Sequence, residues 1–116
     1  MRDKVIQKIR KSEKDTLAIA EKYYGCIAVI NSLKLTEREI QLVAFSAVKG
    51  SVSLINVREE FCKVYSTSSP TINNIVSRLK KKGVLIKKNG KVIVTPAIGL
   101  NFEKDIVLEI NIVHED

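Results

Sequence analysis

The sequence predicts an α+β domain, mainly α-helical, that carries a two-stranded β-hairpin and an extra C-terminal strand. Apolar residues recur every three or four positions through most of the first 82 residues, which is typical of amphipathic helices. The dipeptide Asn89-Gly90 lies between two short β-rich runs and indicates a hairpin. Residues 105–113 carry Ile or Leu at every second position from Ile106 to Ile112, which gives a strand one strongly apolar face.

The first part of the chain, residues 1–35, is predicted to be a helical extension. Its helix is expected over residues 3–33, divided or kinked near Gly25 or within Arg10–Asp15. Because the apolar stripe of its first half is thin, that half is either a frayed arm or a helix that finds its partner on another chain. The stripe consists of Ile6, Ile9, Thr16, Ala20, Tyr23, Ile27 and Ile30.

The second part, residues 36–96, opens with two more predicted helices. Thr36 and Glu39 have the spacing of a capping box, and the helix that they begin is expected to stop at Gly50. A shorter helix is predicted over residues 56–65. Its inward-facing residues are expected to be Val57, Phe61 and Val64.

The fourth helix and the hairpin have the clearest signals. Pro70, after Ser69, suits a first helical turn, and Gly83 suits the position just past a helix end. The spacing therefore predicts a helix over residues 70–82, followed by strands at 84–88 and 91–95. The expected core stripe of this helix is Ile72, Ile75, Val76 and Leu79.

Positive charge is concentrated in this same part of the chain. Residues 61–102 contain eight basic side chains and no acidic one, whereas residues 103–116 contain one basic and five acidic residues. A field of one sign on a small surface favours a polyanionic partner, most commonly nucleic acid. The alternative is a solvated lysine-rich helix end, which suits the negative end of the helix dipole.

The residues favour a binding protein over an enzyme. The single histidine, His114, lies two residues from the acidic end and has no constellation of carboxylate and nucleophile around it, and the five glycines form no phosphate-binding run. Cys26 and Cys62 lack the spacing of a zinc site, so we expect buried thiols, no metal and no cofactor. The longest apolar run, Cys26–Ile30, is too short for a bilayer, so a cytoplasmic protein is expected.

The order of helices, turn and hairpin resembles the winged helix-turn-helix family over residues 36–96. The resemblance rests on Thr36-Glu37-Arg38-Glu39, on Ser68-Ser69-Pro70-Thr71, and on the run RLKKKGVLIKKNGKVIV from Arg78 to Val94. It implies that helix 70–82 contacts the major groove of duplex DNA and that the hairpin, or wing, contacts the neighbouring backbone. The segments before residue 36 and after residue 96 lie outside the resemblance.

The resemblance and a helical wheel together select the candidate DNA-binding residues. Asn73, Asn74 and Arg78 have side chains that can pair with base edges, while hydroxyl groups at the helix start suit a phosphate. The alternative is that these polar residues are only solvated and that Ser69 is only a helix cap. The full candidate set is Ser68, Ser69, Thr71, Asn73, Asn74, Ser77, Arg78, Lys81, Lys87, Lys88 and Lys91.

The third part, residues 97–116, is predicted to hold a C-terminal strand and an acidic tail. The strand would either lie beside the wing as a third strand or leave an edge that pairs with a neighbouring subunit. With the N-terminal extension, this part leads us to expect a homo-oligomer.

Two functional hypotheses follow. The first is a DNA-binding protein, a small transcriptional regulator of phage, plasmid or bacterial origin that is associated with the nucleoid in the cytoplasm. The second is a non-enzymatic structural protein that uses the same shape as an assembly module, with phage structural proteins as partners in a virion. The arrangement from Tyr23-Tyr24 to Glu39-Ile40 is similar to that of small winged-helix proteins from tailed phages of gut bacteria.

Overall fold

A computed structural model describes residues 3–7 and 16–114 of the chain. These residues form an α+β unit that is mainly helical, which confirms the predicted class. The elements follow one another as α1 (Thr16–Ile30), α2 (Glu37–Lys49), α3 (Ile55–Val64), α4 (Ser69–Lys81), β1 (Leu85–Lys88) and β2 (Lys91–Val94).

The predicted capping box begins α2. The Thr36 hydroxyl accepts a hydrogen bond from the Glu39 N–H at 3.2 Å, and the Thr36 N–H donates to Glu39 Oε1 at 2.8 Å. Both bonds satisfy backbone donors that a helix start leaves without partners. The helix ends at Gly50, whose φ of 113° lies in the region that favours glycine.

Helix α4 begins and ends close to the predicted positions. Ser68 is the N-cap and Pro70 lies in the first turn. At the other end, Gly83 has a φ of 76°, and the Val84 N–H donates to the Leu79 carbonyl at 3.0 Å. This turn directs the chain from the helix directly into β1.

The two strands form an antiparallel hairpin with the predicted two-residue turn. Lys88 pairs with Lys91, and Asn89 and Gly90 take φ values of 52° and 78°, as a type I′ turn requires. The Thr95 N–H donates to the Val84 carbonyl at 2.9 Å, which fixes the alternation of bonded pairs along the ladder. By that alternation the backbone groups of Val92 point away from β1.

Two serines from the connection after α2 bind this outer edge of β2. The Ser51 hydroxyl donates to the Val92 carbonyl at 2.6 Å, and the Val92 N–H donates to the Ser53 hydroxyl at 2.9 Å. The hydroxyl groups thereby satisfy backbone groups that a third strand would otherwise bind. They also hold the hairpin against the end of α2.

The core lies between the helices and the inner face of the hairpin. All four predicted inward residues of α4 are buried, and they pack in one cluster with Phe45 of α2 and Phe61 of α3. The two rings meet edge to face, with centroids 5.3 Å apart. The prediction that Val64 faces inward is wrong, because it is exposed while the neighbouring Tyr65 packs against Phe61.

Helix α1 packs on α2, and two of its aromatic rings contact a ring from the segment after the hairpin. The rings of Tyr23, Tyr24 and Phe102 contact one another edge to face, with centroids 5.0–5.7 Å apart. Phe102 thus brings the segment that follows the hairpin back to α1. The Tyr65 hydroxyl donates to Glu21 at 3.0 Å and ties α1 to the end of α3.

The prediction of a long N-terminal helix is wrong for residues 3–7, which lie in no helix. Val5 and Ile6 are exposed and find no apolar cover that would offset the entropy of a helical turn. The other part of that prediction, with Ile9 and the possible division within Arg10–Asp15, lies outside the described residues. Ile30 of the same predicted stripe is about half exposed at the end of α1.

The prediction of an extra C-terminal strand is also wrong, because residues 97–114 contain no strand. Their alternating pattern needs a neighbouring strand edge and an apolar cover, and Ser51 and Ser53 already occupy the outer edge of β2. Ile106 packs against the core, but beyond it Val107 and Ile112 are 92% and 90% exposed.

We expect Ser51→Ala to lower the free energy of unfolding by about 1–3 kcal/mol, because it leaves the Val92 carbonyl without its hydrogen-bond donor. Urea denaturation measures the change. Ser77→Ala is the matched control, since the Ser77 hydroxyl is exposed and makes no hydrogen bond within the described residues. Equal effects of the two substitutions would contradict the role assigned to Ser51.

Candidate functional site

The exposed face of α4 continues directly into the hairpin and forms the candidate site. We call this the α4–hairpin surface and define it by Asn74, Ser77 and Lys81 of α4 with Lys87, Lys88 and Lys91 of the hairpin. All six side chains are exposed, and within the described residues none of them makes a hydrogen bond or an ion pair. These polar groups are therefore available to a ligand.

One flank of α4 is held by Arg58 of α3. Its Nη1 donates to Ser69 Oγ at 2.8 Å and to Asn73 Oδ1 at 2.6 Å, while its Nε donates to the Val52 carbonyl at 3.1 Å. The guanidinium is thus anchored on the backbone and reaches two residues in the first half of α4. Ser69 and Asn73 are both candidate residues that the structure brings together.

The opposite flank is held by Glu39 of α2. Its carboxylate is fully buried, accepts from Lys82 Nζ at 3.0 and 3.1 Å, and lies 3.7 Å from Nε of Arg78. Lys82 Nζ also donates to the Lys34 carbonyl at 2.6 Å. Arg78, a candidate base reader, is therefore directed in part toward an internal carboxylate.

The environment of Glu39 favours its charged form. Burial by itself raises the pKa of the Glu39 carboxyl, but the hydrogen bonds from Thr36 and from Lys82 outweigh burial. The pKa of this carboxyl consequently lies below its ordinary value. An ionised carboxylate at this position stabilises the end of α4, because Arg78 lies in its last turn and Lys82 is its C-cap.

The start of α4 carries the remaining candidates. The hydroxyl groups of Ser68 and Thr71 lie 3.0 Å apart and bond to each other. The Ser68 side chain makes no cap hydrogen bond to the helix, although its backbone is the N-cap. Hydroxyl and N–H groups of this kind suit a phosphate, as expected for Ser68, Ser69 and Thr71.

The structure thus sorts the candidate residues into those held by other elements and those left free. Ser69 and Asn73 are bound on one flank and Arg78 on the other, whereas the residues of the α4–hairpin surface are unbound. Sequence reasoning missed Arg58, because it stands beside Glu59 and Glu60 at an ordinary helix start. Only the packing of α3 against α4 brings its guanidinium to Asn73.

Other kinds of site find little support in the described part of the chain. Residues 3–7 and 16–114 contain no group of three His, Cys, Asp or Glu side chains placed to hold a metal ion. Each helix in those ranges is too short or too polar to cross a bilayer. Comparison with known protein families, with curated proteins and with solved structures gives no match.

We expect Glu39→Gln to reduce the pH dependence of stability in acid. Because the pKa of Glu39 is lowered by folding, its contribution is present above its ordinary value of 4.5 and is lost as the pH falls below that value. The free energy of unfolding of the wild type should therefore decline more steeply below about pH 4.5 than that of the variant.

Denaturant titrations from pH 7 to pH 3 measure this difference. Glu37→Gln, which removes an exposed carboxylate from the same helix turn, is the matched control. A Glu39→Gln profile that runs parallel to the wild type through the acid range would contradict the stabilising role of the ionised carboxylate.

Proposed function

We propose that residues 36–96 are a winged helix-turn-helix unit that binds duplex DNA, with α4 in the major groove and the hairpin as the wing. In this proposal α3 and α4 are the two helices of the helix-turn-helix motif, joined by residues 65–68. The protein acts as a small DNA-binding regulator and contacts DNA mainly through phosphates. This role requires no cofactor.

The observation that carries the proposal is the charge of the α4–hairpin surface. Lys81, Lys87, Lys88 and Lys91 are exposed, have no ion-pair partner within the described residues, and belong to a 42-residue stretch without one acidic side chain. Unpaired ammonium groups repel each other, and a bound polyanion offsets this repulsion. Phosphates spaced along a duplex supply such a partner.

The shape and chemistry of α4 support contact with base edges as well. Its inward stripe is fully engaged in the core, so that Asn74, Ser77 and Lys81 project from the opposite side. The Asn74 amide retains both a free donor and a free acceptor, the combination that pairs with adenine in the major groove. Asn74 is therefore the residue we assign to adenine readout.

We expect binding to random duplex DNA to weaken steeply with salt. Each phosphate contact contributes a slope of about −0.9 to the dependence of log affinity on log salt concentration. Changing Lys81, Lys87, Lys88 and Lys91 together to Ala should lower the affinity for all sequences alike and should flatten this slope. Fluorescence anisotropy with a labelled duplex, titrated at several salt concentrations, measures both effects.

The matched control removes four exposed lysines from outside this stretch, namely Lys4, Lys22, Lys34 and Lys104. Its total loss of charge is the same, so long-range attraction falls equally in the two variants. A much larger loss of affinity in the first variant than in the control supports contact at the α4–hairpin surface. Absence of binding at low salt, or an affinity independent of salt, would overturn the proposal.

A second candidate function, an assembly module of a virion or another complex, is favoured by the distribution of exposed apolar side chains. Of the thirteen large apolar residues exposed in the described ranges, ten lie before residue 36 or after residue 96. Val107 and Ile112 of the tail and Val5 near the start are the most exposed. In the tail, five of these residues fall within residues 107–113, and apolar side chains clustered in this way are typical of a surface that contacts another protein.

We therefore expect the protein to self-associate through these two extensions. Changing Val107, Ile110 and Ile112 to Ser should shift the oligomer toward smaller species without unfolding the central domain, since all three are exposed in the single chain. Light scattering coupled to size-exclusion chromatography measures the mass. The matched control changes the exposed Leu54, Ile55 and Val64 to Ser within the central domain.

A strict monomer at high protein concentration would contradict self-association. The form of the oligomer bears on the choice between the two functions. A two-fold dimer places two copies of α4 on successive turns of DNA, whereas a closed ring suits an assembly.

A further inference from the structure

We propose that Arg58 is a positioning residue that holds the side-chain amide of Asn73 with its oxygen turned toward α3, so that Asn73 presents its NH₂ group to DNA. This inference rests on the proposed function, because it concerns which bases α4 can read. It separates Asn73 from its neighbour Asn74, although the sequence gives the two residues the same chemistry.

The orientation of the Asn73 amide follows from its partner. An arginine guanidinium has N–H donors and no acceptor, so it can bind only the oxygen of an amide. With Asn73 Oδ1 at 2.6 Å from Arg58 Nη1, rotating the amide by 180° would place its NH₂ group against another donor. The guanidinium therefore determines that the oxygen of the Asn73 amide, and not its nitrogen, faces Arg58.

Arg58 itself has little freedom to release the amide. Its Nε binds the Val52 carbonyl at 3.1 Å, and the second hydrogen of Nη1 is engaged by Ser69 Oγ at 2.8 Å. These two hydrogen bonds hold the plane of the guanidinium in place while Nη1 binds Asn73. The guanidinium is thus oriented before any ligand arrives, which reduces the conformational cost of binding.

The consequence is a restricted choice of base. The usual bidentate pairing of Asn with adenine needs one donor and one acceptor, because adenine presents an acceptor at N7 and a donor at N6. Arg58 occupies one lone pair of the Asn73 oxygen and turns that oxygen toward α3, so the amide presents its NH₂ group to DNA. Guanine presents acceptors at both N7 and O6 and suits this group, whereas adenine offers it only N7.

Asn74 provides the contrast within the same helix. Its side chain is exposed and has no hydrogen-bond partner within the described residues, so its amide can rotate and pair with adenine. Two adjacent asparagines would then read different bases because one of them touches α3. We assign guanine readout to Asn73 and adenine readout to Asn74.

The test selects preferred duplexes from a randomised library with the wild type, Arg58→Met and Arg58→Lys. At the base pair read by residue 73, the wild type should prefer guanine over adenine by about tenfold. Arg58→Met frees the amide and should shift this preference toward adenine, whereas Arg58→Lys keeps a cationic donor and should largely retain guanine. Asn73→Ala should abolish the preference at the same base pair, and adding Arg58→Met to it should change nothing further.

The control for loss of an arginine is Arg38→Met. Arg38 likewise donates to a backbone carbonyl, that of Tyr65 at 3.0 Å, and makes no hydrogen bond or ion pair with α4 among the described residues. It should leave every base preference as in the wild type. Should Arg58→Met fail to fold, Asn73→Asp replaces it, because an exposed carboxylate held by Arg58 offers acceptors only and should turn the preference from guanine to cytosine or adenine.

The possible failures are distinguishable. A wild type that binds no duplex at low salt overturns the proposed function and this assignment with it. A wild type that binds but shows no preference at any base pair, or an Arg58→Met variant with unchanged preferences, overturns the assignment and leaves the DNA-binding function standing. Nuclear Overhauser contacts between the Arg58 guanidinium protons and the Asn73 β-protons of the free protein provide a readout without DNA, and their absence would also overturn it.

Discussion

The buried carboxylate of Glu39 connects the two helices on which the candidate site depends. It completes the capping box that begins α2, and it accepts two hydrogen bonds from Lys82, just past the end of α4. One side chain therefore satisfies the start of one helix and neutralises cations at the end of another. A buried charge persists only with such partners, because desolvation otherwise drives it to its neutral form.

Helix α4 is consequently held from both sides, so its surface consists of two bound flanks and a free face between them. Glu39 binds the flank that carries Arg78, and Arg58 binds the flank that carries Asn73. The residues between these flanks are left for solvent or a ligand. The DNA-reading role proposed for α4 needs this combination of a fixed axis and free side chains, because mispositioned contacts cost affinity and selectivity.

Local signals made much of the fold predictable. The capping box at Thr36, the glycine at 83 and the Asn89-Gly90 turn act through the backbone nearby, so they define the same structure in any context. The tail from residue 105 shows the opposite case. Its alternation describes a strand only where a free edge and an apolar cover exist, and both are properties of the tertiary structure.

The candidate site likewise has features that local sequence predicts and features that depend on tertiary packing. A helical wheel was sufficient to find the outward residues of α4, since burial of one stripe determines the opposite face. It could not reveal that Arg58 binds Asn73, because the two residues are brought together by the packing of α3 on α4. Nor could it show that Arg78 leans toward Glu39, which depends on the position of α2.

The most direct test of the account is to map a bound duplex onto the protein by chemical-shift perturbation in NMR spectra. We expect the backbone and side-chain signals of Asn73, Asn74, Ser77 and Lys81 and those of residues 87–91 to shift progressively as random duplex is added at low salt. The signals of α1 and of residues 105–113 should stay unchanged. Perturbation confined to α1 and the tail, or no perturbation at all, would contradict the claim that the α4–hairpin surface binds nucleic acid.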